Sequence, residues 1–69
     1  MRRKEKMEWN GKVVSVETLH ELASDNSIKE IVLGDSVPGE KIKGCRENQR
    51  EYDQWELSYN DGRKIMVYV

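Results

Sequence analysis

Few side chains in this sequence are suited to bond-making chemistry, and they are scattered. The one histidine, His20, falls in Glu17-x-x-His20-Glu21. On a helix, residues three and four apart are neighbours, so Glu17, His20 and Glu21 share a face. That spacing serves di-iron bundles only when two copies and further carboxylates converge from other helices. Here there is one copy, so a solvated helix face is expected. The one cysteine, Cys45, excludes a disulfide within the chain and a multi-cysteine zinc site. An isolated cysteine acts as a small hydrophobe. Lys43 and Arg46 beside it would make it reactive only if it were exposed.

Gly34-Asp35-Ser36 follows the apolar run Ile31-Val32-Leu33. The block resembles the nucleophile block of GDSL-type esterases, in which a serine sits just past the first strand. That resemblance covers three residues and implies a downstream Asp-x-x-His pair. His20 lies upstream instead, and the residue three before it is Glu17. A serine without a base in hydrogen-bond reach is not a nucleophile. Gly34-x-x-x-x-Gly39 has part of the spacing of a P-loop, but Glu40 stands where a phosphate-binding lysine is needed. No catalytic site, metal or cofactor is expected, and the chain is not expected to be an enzyme.

The charge is near balance, with 12 basic and 13 acidic side chains, but it is unevenly spread. Arg2, Arg3, Lys4 and Lys6 crowd the first residues, where positions 1–5 read as a flexible basic lead-in. A second basic run, Lys41, Lys43, Arg46 and Arg50, lies close to Tyr52. Cations interleaved with an aromatic can grip a single strand of nucleic acid. Glu40, Glu47, Glu51 and Asp53 interrupt this run. Nucleic-acid binding through these eight cations is therefore the alternative function, not the leading one.

The elements that must position these residues fit one small domain over 1–69. A chain of this length buries only about 60% of the surface it exposes when unfolded, which favours a binding surface over a closed cleft. Asn10-Gly11 is the preferred two-residue hairpin turn, and it predicts Trp9 opposite Lys12, Glu8 opposite Val13 and Met7 opposite Val14. Met7, Trp9, Val14 and Val16 then share an apolar face. Ser15 is placed to cap a helix whose stripe is Val16, Leu19, Leu22 and Ala23, with Asp25-Asn26 as its stop. Ile28 to Leu33 reads as an interior strand, because Ile31-Val32-Leu33 is continuous rather than alternating. Residues 34–39 read as a loop, 41–46 as a strand weakened by Gly44, and 47–51 as a turn.

The C-terminal hairpin has two possible registers. A two-residue turn at Asp61-Gly62 would put Ile65, Val67 and Val69 on the opposite face from Trp55, Leu57 and Tyr59. A three-residue loop, Asn60-Asp61-Gly62, puts all six on one face. A one-residue slip flips every side chain, so burial selects the longer loop, with Gly62 left-handed in a bulge. The expected fold is α+β: a mostly antiparallel sheet of about five to six strands in the order β-β-α-β-β-β-β, with one short helix on one face.

That register leaves Met66 and Tyr68 opposite the main apolar face, beside Glu56 and Lys64. Val13 sits likewise on the polar side of the first hairpin. Either the helix covers them or they form an exposed apolar patch of the kind that marks a partner site. Met66, Tyr68, Val13, Glu56 and Lys64 are thus the candidate contact residues. The last strand offers an edge to a partner or to its own copy, as a homodimer. The expected function is a small protein-interaction module, an inhibitor or adaptor of phage or mobile-element type. A cytoplasmic location follows from the lack of disulfides. No membrane is expected, because no apolar run approaches about 18 residues.

Overall fold

The computed structural model describes residues 6–69. The chain begins with a 3-10 turn at Lys6–Trp9 and a two-residue strand β1 at Lys12–Val13. Helix α1 spans Val16–Ala23 and strand β2 spans Ile28–Pro38. A second 3-10 turn at Gly39–Lys41 leads into a loop, then strands β3 (Glu51–Tyr59) and β4 (Lys64–Tyr68) complete the sheet. Among the described residues the sheet has four strands in the order β1-β4-β3-β2. β1 runs parallel to β4, and the other two pairings are antiparallel. The class is α+β as expected, with fewer strands and a mixed sheet.

The C-terminal hairpin has the register that burial selects. Leu57 pairs with Ile65, Glu56 with Met66 and Trp55 with Val67. The Tyr59 N–H donates to the Arg63 carbonyl at 2.8 Å, closing the three-residue loop, and Gly62 takes φ +93°. Within the loop, Asp61 accepts from the Arg63 N–H at 3.0 Å and from its guanidinium at 2.7 Å. These bonds hold the Asp61 carboxyl below the usual carboxylate range.

Helix α1 also starts where its sequence says. Ser15 Oγ accepts the Thr18 N–H at 3.1 Å, and Ser24 closes the other end on the His20 carbonyl. Leu22 is buried and Leu19 packs on the core, but Val16, at the first helical position, is largely exposed. The core joins Val14, Leu22, Leu57, Tyr59, Ile65 and Val67, with Trp9, Trp55 and Val69 against it.

The first hairpin does not form. A two-residue turn of the expected type needs positive φ at both central residues. Gly11 has φ +81°, but no residue other than glycine has a positive φ among those described. Asn10 and Gly11 instead bind β4. The Met66 N–H donates to Asn10 Oδ1 at 2.8 Å, and the Gly11 N–H donates to the Met66 carbonyl at 2.6 Å. Val14 continues this with an N–H to the Tyr68 carbonyl at 2.8 Å. Trp9 and Val14 still reach the core, Trp9 from a 3-10 turn and Val14 from just past the end of β1. The side chain of Met7 lies outside the described residues.

Two further expectations change. β2 runs past Leu33 through Gly34 to Pro38, with register shifts between Ile28 and Glu30 and between Leu33 and Ser36. Each shift is a bulge that absorbs one extra residue without ending the pairing. Residues 41–46 are not a strand. The Ile42 N–H turns back to the Gly39 carbonyl, the Cys45 N–H to the Ile42 carbonyl, and Gly44 takes φ +80°. The loop is tied shut by Gly39 N–H to Arg50 O at 2.8 Å and Glu40 N–H to Asn48 O at 3.0 Å. Ile42 and Tyr52 are buried apart from the main core.

Candidate functional site

Pairing directions show which backbone groups the sheet leaves free. Asp53 and Val69 exchange both N–H···O bonds, at 2.9 and 3.0 Å. Odd-numbered residues of β3 therefore turn their backbone groups toward β4. Even-numbered ones turn toward β2, where Ser58 faces Glu30 and Glu56 faces Val32. Backbone groups alternate sides along a strand, so the N–H and C=O of Ile31 and Leu33 point away from β3. No described strand lies beyond β2.

Ile31, Val32 and Leu33 together carry an exposed apolar surface. Ile31 is 39% exposed, Val32 40% and Leu33 55%. Ile31 and Leu33 pair with Leu57 and Trp55 and so stand on the helix side, while Val32 pairs with Glu56 on the other face. Beside Ile31 a cleft of about 290 Å³ opens between α1 and the sheet, lined by Leu19, His20, Ala23, Ser24, Ile31 and Trp55. The interior strand expected here is an edge strand. A continuous apolar run suits a strand with both faces covered, but α1 has only eight residues and lies on one face.

The expected contact residues do come together. Val13 pairs with Tyr68, Gln54 with Tyr68, Glu56 with Met66 and Ser58 with Lys64, so Met66, Tyr68, Val13, Glu56 and Lys64 share the face away from α1. Met66 and Tyr68 are half-buried, with Gln54 Nε2 donating to Met66 Sδ and the Tyr68 hydroxyl 4.0 Å from that sulfur. Lys64 and Glu56 form an exposed 3.8 Å ion pair, a contact of little energetic weight. The loop 39–50, not the helix, folds toward this face: Gly44, Cys45, Arg46 and Glu47 line one shallow cleft with Val13 and Tyr52. Nor is β4 an edge, because Asn10, Gly11, β1 and Val14 bond along its outer side.

Lys41, Lys43, Arg46 and Arg50 all lie exposed on the 39–50 loop. Tyr52, the aromatic beside them, is buried, and the Arg50 guanidinium stands 5.0 Å from its ring centroid. Arg50 also reaches Glu47 at 3.3 Å. The ring is therefore not presented for base stacking. Arg2, Arg3, Lys4 and the side chain of Lys6 lie outside the described residues.

The residues with chemical potential are engaged elsewhere. Ser36 Oγ donates to Glu51 at 2.6 Å, and Cys45 Sγ donates to the Glu47 carbonyl at 3.7 Å. Among the described residues no group of three or more metal-ligating side chains occurs and no helix is long and apolar enough to cross a membrane.

The exposed triplet had a signal in the sequence. Lys29-Glu30 and Gly34-Asp35 bracket it, and charges flanking an apolar run are how edge strands are guarded against indiscriminate pairing. Compared with protein-family models, curated proteins and solved structures, the chain matches none.

Proposed function

We propose that this is a protein-interaction module, an inhibitor or adaptor in kind, that takes a partner's strand onto the free edge of β2. One observation carries the reading: among the described residues β2 ends the sheet with three exposed apolar residues, of which Ile31 and Leu33 turn their backbone donors and acceptors away from β3. In strand addition, main-chain bonds supply affinity and alternate side chains supply selectivity. Ile31 and Leu33 beside the α1 cleft would supply that selectivity. No bond is made or broken by the module in this reading, and no cofactor takes part.

A proline separates edge from core. Proline is tolerated on an edge strand where its missing N–H would face solvent. Leu33→Pro should therefore stay folded, with a far-ultraviolet spectrum matching the unmodified chain. It should lose the proteins that the unmodified chain captures from a native lysate. Capture that survives Leu33→Pro but falls with Tyr68→Ala would move the contact surface to the Met66 and Tyr68 face. Capture that neither change affects would end the reading.

A further inference from the structure

We propose that the β2 edge accepts the β2 edge of a second copy of this chain, the two strands running antiparallel about a two-fold axis at Val32. This rests on the strand-addition reading and names its partner. The two-fold places Ile31 of each copy opposite Leu33 of the other. These are the two residues whose N–H and C=O point outward, so each opposed pair exchanges both bonds, giving four across the junction. Moving the register by two residues sets Leu33 against Lys29 in one direction and Ile31 against Asp35 in the other. Both partners then fall at the bulged stretches of β2. Moving it by one turns the apolar side chains to opposite faces.

Charge agrees with the same register. Lys29 and Asp35 flank the triplet at its two bulges with opposite charges, so the two-fold brings the Lys29 end of each copy to the Asp35 end of the other. Side chains agree as well. Opposed residues of antiparallel strands share a face, so Leu33 of the second copy stands beside Ile31 at the mouth of the α1 cleft. Val32 meets its own copy on the other face. The bulges, Lys29 and Pro38 confine the pairing to the central triplet. So short a junction belongs below the roughly 1,200 Å² of weak, transient complexes, and we expect a dissociation constant on the order of tens of micromolar.

Sedimentation equilibrium of the full chain from about 5 to about 500 µM tests this, a range chosen to span that affinity. The mass should rise from one chain to two. Val32→Lys and Val32→Asp, each changing an exposed side chain, should separately remain at one chain throughout, because each charge faces itself. An equimolar mixture of the two should recover the mass of two chains. Misfolded variants would not recover it, and recovery requires position 32 to face position 32. Unmodified chain that stays at one copy overturns the proposal, as do single variants that associate undiminished or a mixture that stays apart. If the unmodified chain stays single but Leu33→Pro still abolishes its capture of another protein, self-pairing fails and strand addition stands. If that capture is also indifferent to Leu33→Pro, both fail.

Discussion

Leu57→Ala should leave the chain largely unfolded at 25 °C, or lower its melting temperature by more than about 10 °C. Leu57 is wholly buried, paired with Ile31 on one side and Ile65 on the other. With Ile65 and Val67 it is one of the three largest fully buried side chains. Truncating such a leucine costs about 2–5 kcal/mol through lost transfer energy and the cavity left behind. At ~0.05–0.15 kcal/mol per residue, a domain of this size holds only about 3–10 kcal/mol in total. Each kcal/mol moves the midpoint of so small a domain by roughly 4–8 °C. Val16→Ala, on an exposed helical position, is the control and should move it little. A thermal melt in which both changes act alike would place the centre of the core elsewhere.

Gly39→Ala should be the second most damaging change, and its damage should be local. Gly39 is buried at the start of the second 3-10 turn. A methyl there would run into the Glu47 carbonyl oxygen and lie 3.0 Å from Cys45 Sγ. The obstacle is backbone, which cannot swing aside as a side-chain tip would. Overpacking of this kind costs about 1–3 kcal/mol. Parting the two arms of the loop also threatens the Gly39–Arg50 and Glu40–Asn48 bonds, each worth about 1 kcal/mol. Gly44→Ala gives the contrast. Gly44 has φ +80° but open space around a would-be Cβ, so its cost is the left-handed backbone term of about 1–2 kcal/mol. Urea titrations should rank Gly39→Ala as the worse of the two. The reverse order would mean that the loop closes in some other way.

The parts of the fold legible in the sequence are those where two independent signals coincide. In the C-terminal hairpin, the turn residues allowed two registers and burial chose between them, and Leu57 indeed faces Ile65. In α1 the Ser15 cap forms, and of the expected stripe Leu22 is buried and Leu19 packs on the core while Val16 stays exposed. The first hairpin failed because Asn10-Gly11 is a local signal, and its bonds go to Met66, far along the chain. Local propensity does not know about a partner that distant. Lys41-Ile42-Lys43 alternates like a strand, yet Ile42 is buried outside the main core while the backbone turns.

The position of the free sheet edge was not legible for a related reason. Periodicity reports which face a residue takes, not where its strand sits in the sheet. Ile31-Val32-Leu33 reads the same whether β2 is central or terminal, and β4 looks like an edge until residues 10–14 are seen bonded along it. The register of the last hairpin put Met66 and Tyr68 on the correct face. It could not show the loop that folds toward them from the other side.

Amide hydrogen exchange along β2, read residue by residue by NMR at low and high protein concentration, tests the central claim most directly. In dilute solution the Ile31 and Leu33 amides should exchange far faster than those of Glu30 and Val32, which face β3. At high concentration Ile31 and Leu33 should gain protection while Glu30 and Val32 change little. Protection of Ile31 and Leu33 equal to that of Val32 in dilute solution would mean that the edge is already covered within one chain, and would contradict the account.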